Sequence, residues 1–169
     1  MSLTGKRVLF TAVAVALIAI LVVVFYPRDK GETAKFTTKE SKFEVNVPED
    51  WKAVEQPRVA ATADREATPD EGVELRLKGS EQNKVYVFNQ YSTLSPPEET
   101  LEKEAFTTAQ GIKGTLYKDA ANHTWQLILD QSIAPGFYGA TVRFEDADLF
   151  EKNQDTFRDI LKSIKIFKP

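Results

Sequence analysis

The sequence predicts an α+β domain, a mainly antiparallel sheet with helices packed on it, preceded by one N-terminal transmembrane helix. Three observations carry this expectation. Residues 8–26 form an uncharged apolar run of nineteen residues. Period-two alternation then recurs between short turn signals, with no crossover-length gaps. The last segment has helical spacing of its apolar residues.

At 1.5 Å per residue the run from Val8 to Tyr26 spans about 28 Å, close to the hydrocarbon thickness of a bilayer. Lys6 and Arg7 precede it, and Pro27, Arg28, Asp29 and Lys30 follow at once. A cleaved leader has a shorter apolar stretch and small residues beside the cut. Here Val22, Val23, Val24, Phe25 and Tyr26 reach the boundary, and Ala12, Ala14 and Ala16 lie too early to serve. With no cysteine in the chain, a lipidated amino terminus is excluded. The expected organisation is a tail over 1–7, an anchor over 8–26, a linker over 27–35 and a domain over 36–169. Lysine and arginine counts, with Arg28, Lys30, Lys35 and Lys39 after the run against Lys6 and Arg7 before it, by themselves slightly favour a cytoplasmic carboxy-terminal domain. The brief tail resembles the basic start of an export signal, so the expectation is a cytoplasmic tail and an extracytoplasmic domain.

The whole chain carries a net charge of −3. Removing Lys6, Arg7, Arg28 and Lys30 together with Asp29 and Glu32 takes away four positive and two negative charges and leaves −5. Basic and acidic residues interleave throughout, so no basic stripe suited to nucleic acid exists. Without cysteine there are neither disulfides nor thiolate metal sites.

Along the domain, Phe43, Val45 and Val47 alternate with Glu44 and Asn46 and predict a half-buried strand ending at Pro48. Pro48 to Trp51 reads as a turn that tucks an indole against the sheet. Residues 57–71 form a long connection rich in Ala, Thr, Pro and Asp, with a weak helical signal over 59–66. Val73, Leu75 and Leu77 predict a second strand, and Gly79 to Asn83 a hairpin tip. In the return strand Val85 and Val87 face one way and Tyr86 and Phe88 the other, which predicts a central position. Ser95-Pro96-Pro97-Glu98 matches a capping box and predicts a helix to about Phe106, burying Leu101 and Ala105. Two more strands are expected over 111–118 and 124–131, with a turn at Asp119 to Asn122, and a third over 138–144. Asp146 or Asp148 then caps a helix whose apolar positions include Phe150, Phe157, Leu161 and Ile164. Arg158 and Lys162 fall on its polar face, and 164–167 ends the chain as a short edge strand.

Two stretches resemble the PsbP-like family: Phe43-Glu44-Val45-Asn46-Val47-Pro48-Glu49-Asp50-Trp51 at the start, and Phe157-Arg158-Asp159-Ile160-Leu161-Lys162-Ser163-Ile164-Lys165 at the end. The resemblance implies a layered domain of strands and helices. Both stretches are structural, so it implies no catalytic residue and no cofactor, and the photosynthetic role of that family does not carry over with them.

No linear motif assigns a catalytic, cofactor-binding or metal-ligating residue. His123 is the single histidine and is expected on an exposed turn. Asp119 and Asp130 flank it, and no Gly-x-Ser-x-Gly elbow supplies a nucleophile. Asp146-Ala147-Asp148 lacks the rest of a calcium loop and reads as a helix cap. Asn122-His123-Thr124 fits a glycosylation acceptor on a turn. Tyr91, Phe137 and Tyr138 lie at predicted strand ends and are the candidate binding surface, beside the 57–71 connection. The functional expectation is a membrane-tethered extracytoplasmic binding or assembly module without catalysis. It would be held to the membrane through residues 8–26, with a protein or small-molecule partner and no nucleic acid. The alternative is a hydrolase or other enzyme whose site gathers scattered Asp, Glu and Ser residues.

Overall fold

The computed structural model describes residues 34–37, 43–61, 70–91, 97–133 and 136–167, all within one compact unit, Glu32–Pro169. Ten strands and one helix follow one another: β1 (Ala34–Thr37), β2 (Phe43–Val47), β3 (Trp51–Gln56), β4 (Asp70–Leu77), β5 (Ser80–Gln90), β6 (Glu102–Thr107), β7 (Lys113–Asp119), β8 (Thr124–Ile133), β9 (Gly136–Arg143), α1 (Ala147–Ser163) and β10 (Lys165–Ile166). Seven strands form one antiparallel sheet in the order β3-β4-β5-β9-β8-β7-β6, and β1-β2-β10 form a second, smaller one.

One face of the large sheet is the core face. Val73, Val87, Ala140, Leu127 and Leu116 lie side by side across it, beside the row Leu75, Val85, Val142 and Trp125. All are buried. The helix and the small sheet cover this face. Phe150, Phe157, Ile160 and Leu161 point inward from α1, and Phe43, Val45 and Val47 from β2. Aromatic side chains concentrate here. Phe157 sits 4.7 Å from Phe144, 5.6 Å from Trp125 and 6.3 Å from Trp51, centroid to centroid. Edge-to-face geometry at the two indoles adds to their area burial.

Local sequence explains the ends of α1. Asp146 caps its start, its Oδ1 accepting the Leu149 N–H at 2.9 Å. Ser163 closes the other end by donating to the Ile160 carbonyl while accepting the Asn46 N–H of β2. That second bond couples helix and small sheet. Gln110 clasps both backbone groups of Ile166, which ties the β6–β7 turn to β10.

The expected α+β arrangement of helices on a sheet, preceded by a transmembrane helix, needs correction. The described residues are mostly antiparallel sheet with a single helix. None of their helices is long and apolar enough to cross a membrane. The run 8–26 lies outside the described residues. The helix expected to end near Phe106 is replaced by turns through 97–101 and by β6. Glu, Lys and Ala favour a helix there by propensity, but pairing with β7 decides otherwise, since context overrides propensity in strands. Glu104 and Phe106 then face the core side, while Lys103, Ala105 and Thr107 face away. Charges on this edge strand also discourage pairing with another chain.

Trp51, read as part of a turn, opens β3 instead. Its N–H bonds the Pro48 carbonyl and its indole is buried. The hairpin tip shortens to Lys78-Gly79, where Gly79 has a φ of 79°, so Ser80 to Asn83 join β5. The capping box begins at Ser95 and Pro96, which lie outside the described residues, as does most of the 59–66 segment.

Candidate functional site

At the end of the core face away from α1, the apolar rows stop and a polar row replaces them. Glu71 on β4, Asn89 on β5 and Tyr138 on β9 are direct neighbours in register. Glu71 is 3% exposed and Asn89 4%. Alternation puts them there. Leu75 and Val73 place Glu71 on the core face, and Val85 and Val87 do the same for Asn89.

Tyr91 stands just past the end of β5, and its hydroxyl donates to Glu71 Oε1 at 2.7 Å. The Arg58 guanidinium lies 4.4 Å above its ring centroid, a cation–π contact from the chain that leaves β3. Burial, then the bond to Glu71, push the Tyr91 hydroxyl up to about 12. Burial and the negative charge of Glu71 also raise the Tyr138 hydroxyl above its ordinary value. The Tyr91 phenol therefore stays neutral at physiological pH and acts as a donor to the Glu71 carboxylate.

Asn89 Oδ1 is the exception in this row. It is buried and has no hydrogen-bond partner among the described residues. It leans over Gly136, the first residue of β9. A Cβ built on Gly136 would lie 2.4 Å from Asn89 Oδ1 and 3.2 Å from the Gln90 carbonyl oxygen. Any side chain there would collide with the amide, so glycine lets the start of β9 pass close beneath Asn89. An unpaired buried carbonyl costs about 1–3 kcal/mol, which makes an explanation for it necessary.

Of the three candidate surface residues, the structure brings Tyr91 and Tyr138 to this corner. Phe137 alternates to the opposite face and is 39% exposed. Glu71, Asn89, Arg58 and Gly136 were not singled out from sequence, although Arg58 and Glu71 bound the connection that was. The available signal was the break in alternation. A charged or amide residue continues an apolar face at Val73–Glu71 and again at Val87–Asn89.

The opposite face of the sheet is organised differently. Glu74 accepts from Arg76 and Lys84, and Tyr86 donates to Asp70 Oδ2 at 2.7 Å. Phe88 is buried on this side because its neighbours across both strands, Gly72 and Gly139, leave room for its ring. The polar groups named here are paired.

His123 occupies the β7–β8 turn with a φ of 47°. It is half-buried rather than exposed, its ring 5.6 Å from that of Phe150. Asp119 is hydrogen-bonded locally, accepting from the amide N–H and the side chain of Asn122. Asp146 caps α1. Among the described residues no group of three or more His, Asp or Glu side chains is placed to hold a metal. In comparisons with known proteins, no family model matches the chain and no curated protein matches it.

Proposed function

We propose that the protein is a membrane-tethered extracytoplasmic binding or assembly module, with its recognition site at the Glu71–Asn89–Tyr91–Tyr138 corner. The observation that carries this reading is the buried, unpartnered Asn89 Oδ1 beside a buried carboxylate. Folding alone gains nothing from an orphaned carbonyl, whereas a binding site uses one. Arg58 and Tyr91 form the accessible rim. Loops and strand ends on a rigid sheet are where recognition is commonly placed.

Tethering through residues 8–26 rests on their length and lack of charge. The extracytoplasmic side rests on the brevity of the tail over 1–7 and its likeness to the basic start of an export signal. A place among PsbP-like domains is part of this reading, supported by the stretches at β2 and at the end of α1.

Photo-cross-linking in native membranes tests the site. A benzophenone side chain replacing Tyr91 is expected to capture a partner that the same group replacing Tyr117, on the opposite face, does not. Equal capture at both positions, or none at either, would overturn the assignment. Alkaline extraction tests the tether: the full-length chain should stay in the membrane pellet, and its release would sink that part.

A further inference from the structure

We propose that a row of four basic residues on the open face of the large sheet docks on anionic phospholipid headgroups of the membrane that holds the tether. This rests on the tether argued above and adds what the domain does beside it. Lys52 on β3, Arg76 on β4, Lys84 on β5 and Arg143 on β9 are successive partners in register. Far apart in sequence, they fall in one line across four adjacent strands. Their neighbours Trp51, Leu75, Val85 and Val142 are buried on the core face, so alternation sends all four side chains to the other. Among the described residues no helix or strand is laid on that face, because α1 and the small sheet cover the core side. Three interstrand steps make the row about 14 Å long.

Two of the four cations are partly neutralised. Glu74, in the adjoining row, accepts from Arg76 and Lys84, and Glu81 lies 3.6 Å from Arg76. Lys52 and Arg143, at the two ends, are exposed and meet no carboxylate among the described residues. Glu49, Asp50 and Glu145 lie in the segments that flank these strands, so the row attracts at contact range and not from afar.

The chain enters the domain at the same end. Ala34 opens β1 opposite Val47, and the turn closed by Trp51 N–H on the Pro48 carbonyl leads into Lys52. Residues 27–33 separate the apolar run from Ala34, and so short a chain reaches at most about 30 Å. That limit keeps the row near the headgroups, where each lysine or arginine is drawn to anionic lipid. An attraction too weak to recruit a free domain then suffices, because the linker makes the encounter intramolecular.

Full-length protein would be reconstituted in nanodiscs of phosphatidylcholine, alone or with phosphatidylglycerol or phosphatidylserine added. The chain has no cysteine, so Gln82→Cys, beside Lys84 on the open face, takes a single fluorophore. Asp155→Cys, on the exposed side of α1, takes the control. Energy transfer to a headgroup-linked acceptor reads the distance to the bilayer. Transfer from position 82 should rise with either anionic lipid and fall back at high salt, while position 155 should not gain.

Lys52→Gln and Arg143→Gln should each lower the docked-to-free ratio about fivefold, and together about 25-fold. Glu81→Gln should raise it, and Lys152→Gln on α1 should leave it unchanged. Transfer indifferent to lipid charge, or undiminished in the double variant, overturns the inference and leaves the row to an acidic protein partner. If alkali leaves the chain in the pellet while transfer stays indifferent, the tether stands and the docking face alone is wrong. If alkali releases the chain, the tether is wrong, and cosedimentation with phosphatidylglycerol vesicles decides the row by itself: equal recovery of wild type and double variant refutes it.

Discussion

Asn83 and Asn89 stand on the same strand and the same face of the sheet, six positions apart, and both are buried. Their surroundings differ. Asn83 donates to Ser80 Oγ and accepts the Glu145 N–H at 2.8 Å. It thereby pins the segment between β9 and the Asp146 cap of α1 to the start of β5. Asn89, at the other end, holds an oxygen that nothing described satisfies. One amide closes the aromatic core beneath the helix with both its groups paired, and the other buries an unpaired oxygen at the corner beyond it. Satisfied buried amides specify a fold, whereas an unsatisfied one in an otherwise well-paired domain points to a ligand.

This contrast between the two ends can be broken by substitution. The aromatic end should respond most. Phe157→Ala removes a fully buried ring in contact with Trp51, Trp125, Phe144 and Phe150 and should cost about 3–5 kcal/mol. A denaturant midpoint unchanged at constant slope would mean that α1 does not pack as described.

Asn83→Ala comes next, with an expected loss of about 2–3 kcal/mol, because it strands the Glu145 N–H as well as removing two bonds. Hydrogen exchange should then quicken at Glu145 and across the first turn of α1. Unaltered exchange there would dissolve the difference between the two asparagines.

Arg158 requires a smaller estimate and corrects an expectation from the sequence. Read as a solvated residue of the polar helix face, it makes a bidentate pair with Glu104, at 2.7 and 2.8 Å, and lies over the Trp125 ring. Both partners are about one-third exposed, so Arg158→Ala should cost about 1 kcal/mol. Hydrogen bonds from Arg158 and then Lys118 hold the Glu104 carboxyl at about 2, below its ordinary 4.5. A depressed carboxyl stabilises the fold above its unfolded value and loses that contribution as the pH falls towards the folded one. The gap between wild type and Arg158→Ala should therefore be full above pH 4.5 and shrink towards pH 2. A gap independent of pH would show that packing on Trp125, not charge, is what the arginine supplies.

The smallest expected effect has the opposite sign. Asn89→Val removes an unpaired carbonyl and continues the row of Val85 and Val87, so it should raise stability by about 0.5–1 kcal/mol. Stability gained where binding is lost is the usual sign of a residue kept for function. A loss comparable to that of Asn83→Ala would mean Asn89 is satisfied in solution and would remove the contrast.

Periodicity made much of the scaffold legible. Phe43-x-Val45-x-Val47, Val73-x-Leu75-x-Leu77 and Trp125-x-Leu127-x-Leu129 each read as strands because alternation reflects one dry face and one wet or second face. The helix from Ala147 was equally plain, since Asp146 and the spacing of Phe150, Phe157 and Leu161 agree. Glu102 to Thr107 was misread because its residues favour a helix locally, and only pairing with β7 overrules that preference. Trp51 to Gln56 was missed because an edge strand with mixed exposure carries a weak pattern. Tyr91 and Tyr138 were candidates by their place at strand ends. Glu71 and Asn89 were not, because a polar residue closing an apolar run looks like the end of the strand.

By itself, the sequence determined the apolar run 8–26, the absence of cysteine, and the local state of most strands and the last helix. These depend on neighbours within a few residues, on composition and on hydrophobic period. Tertiary structure alone decided that β5 lies between β4 and β9, that Glu71, Asn89 and Tyr138 align in one row, and that Gly136 packs closely beneath Asn89. Residues from Arg58 to Tyr138 meet there only because antiparallel pairing sets their register, and side-chain spacing within any single strand does not contain that information.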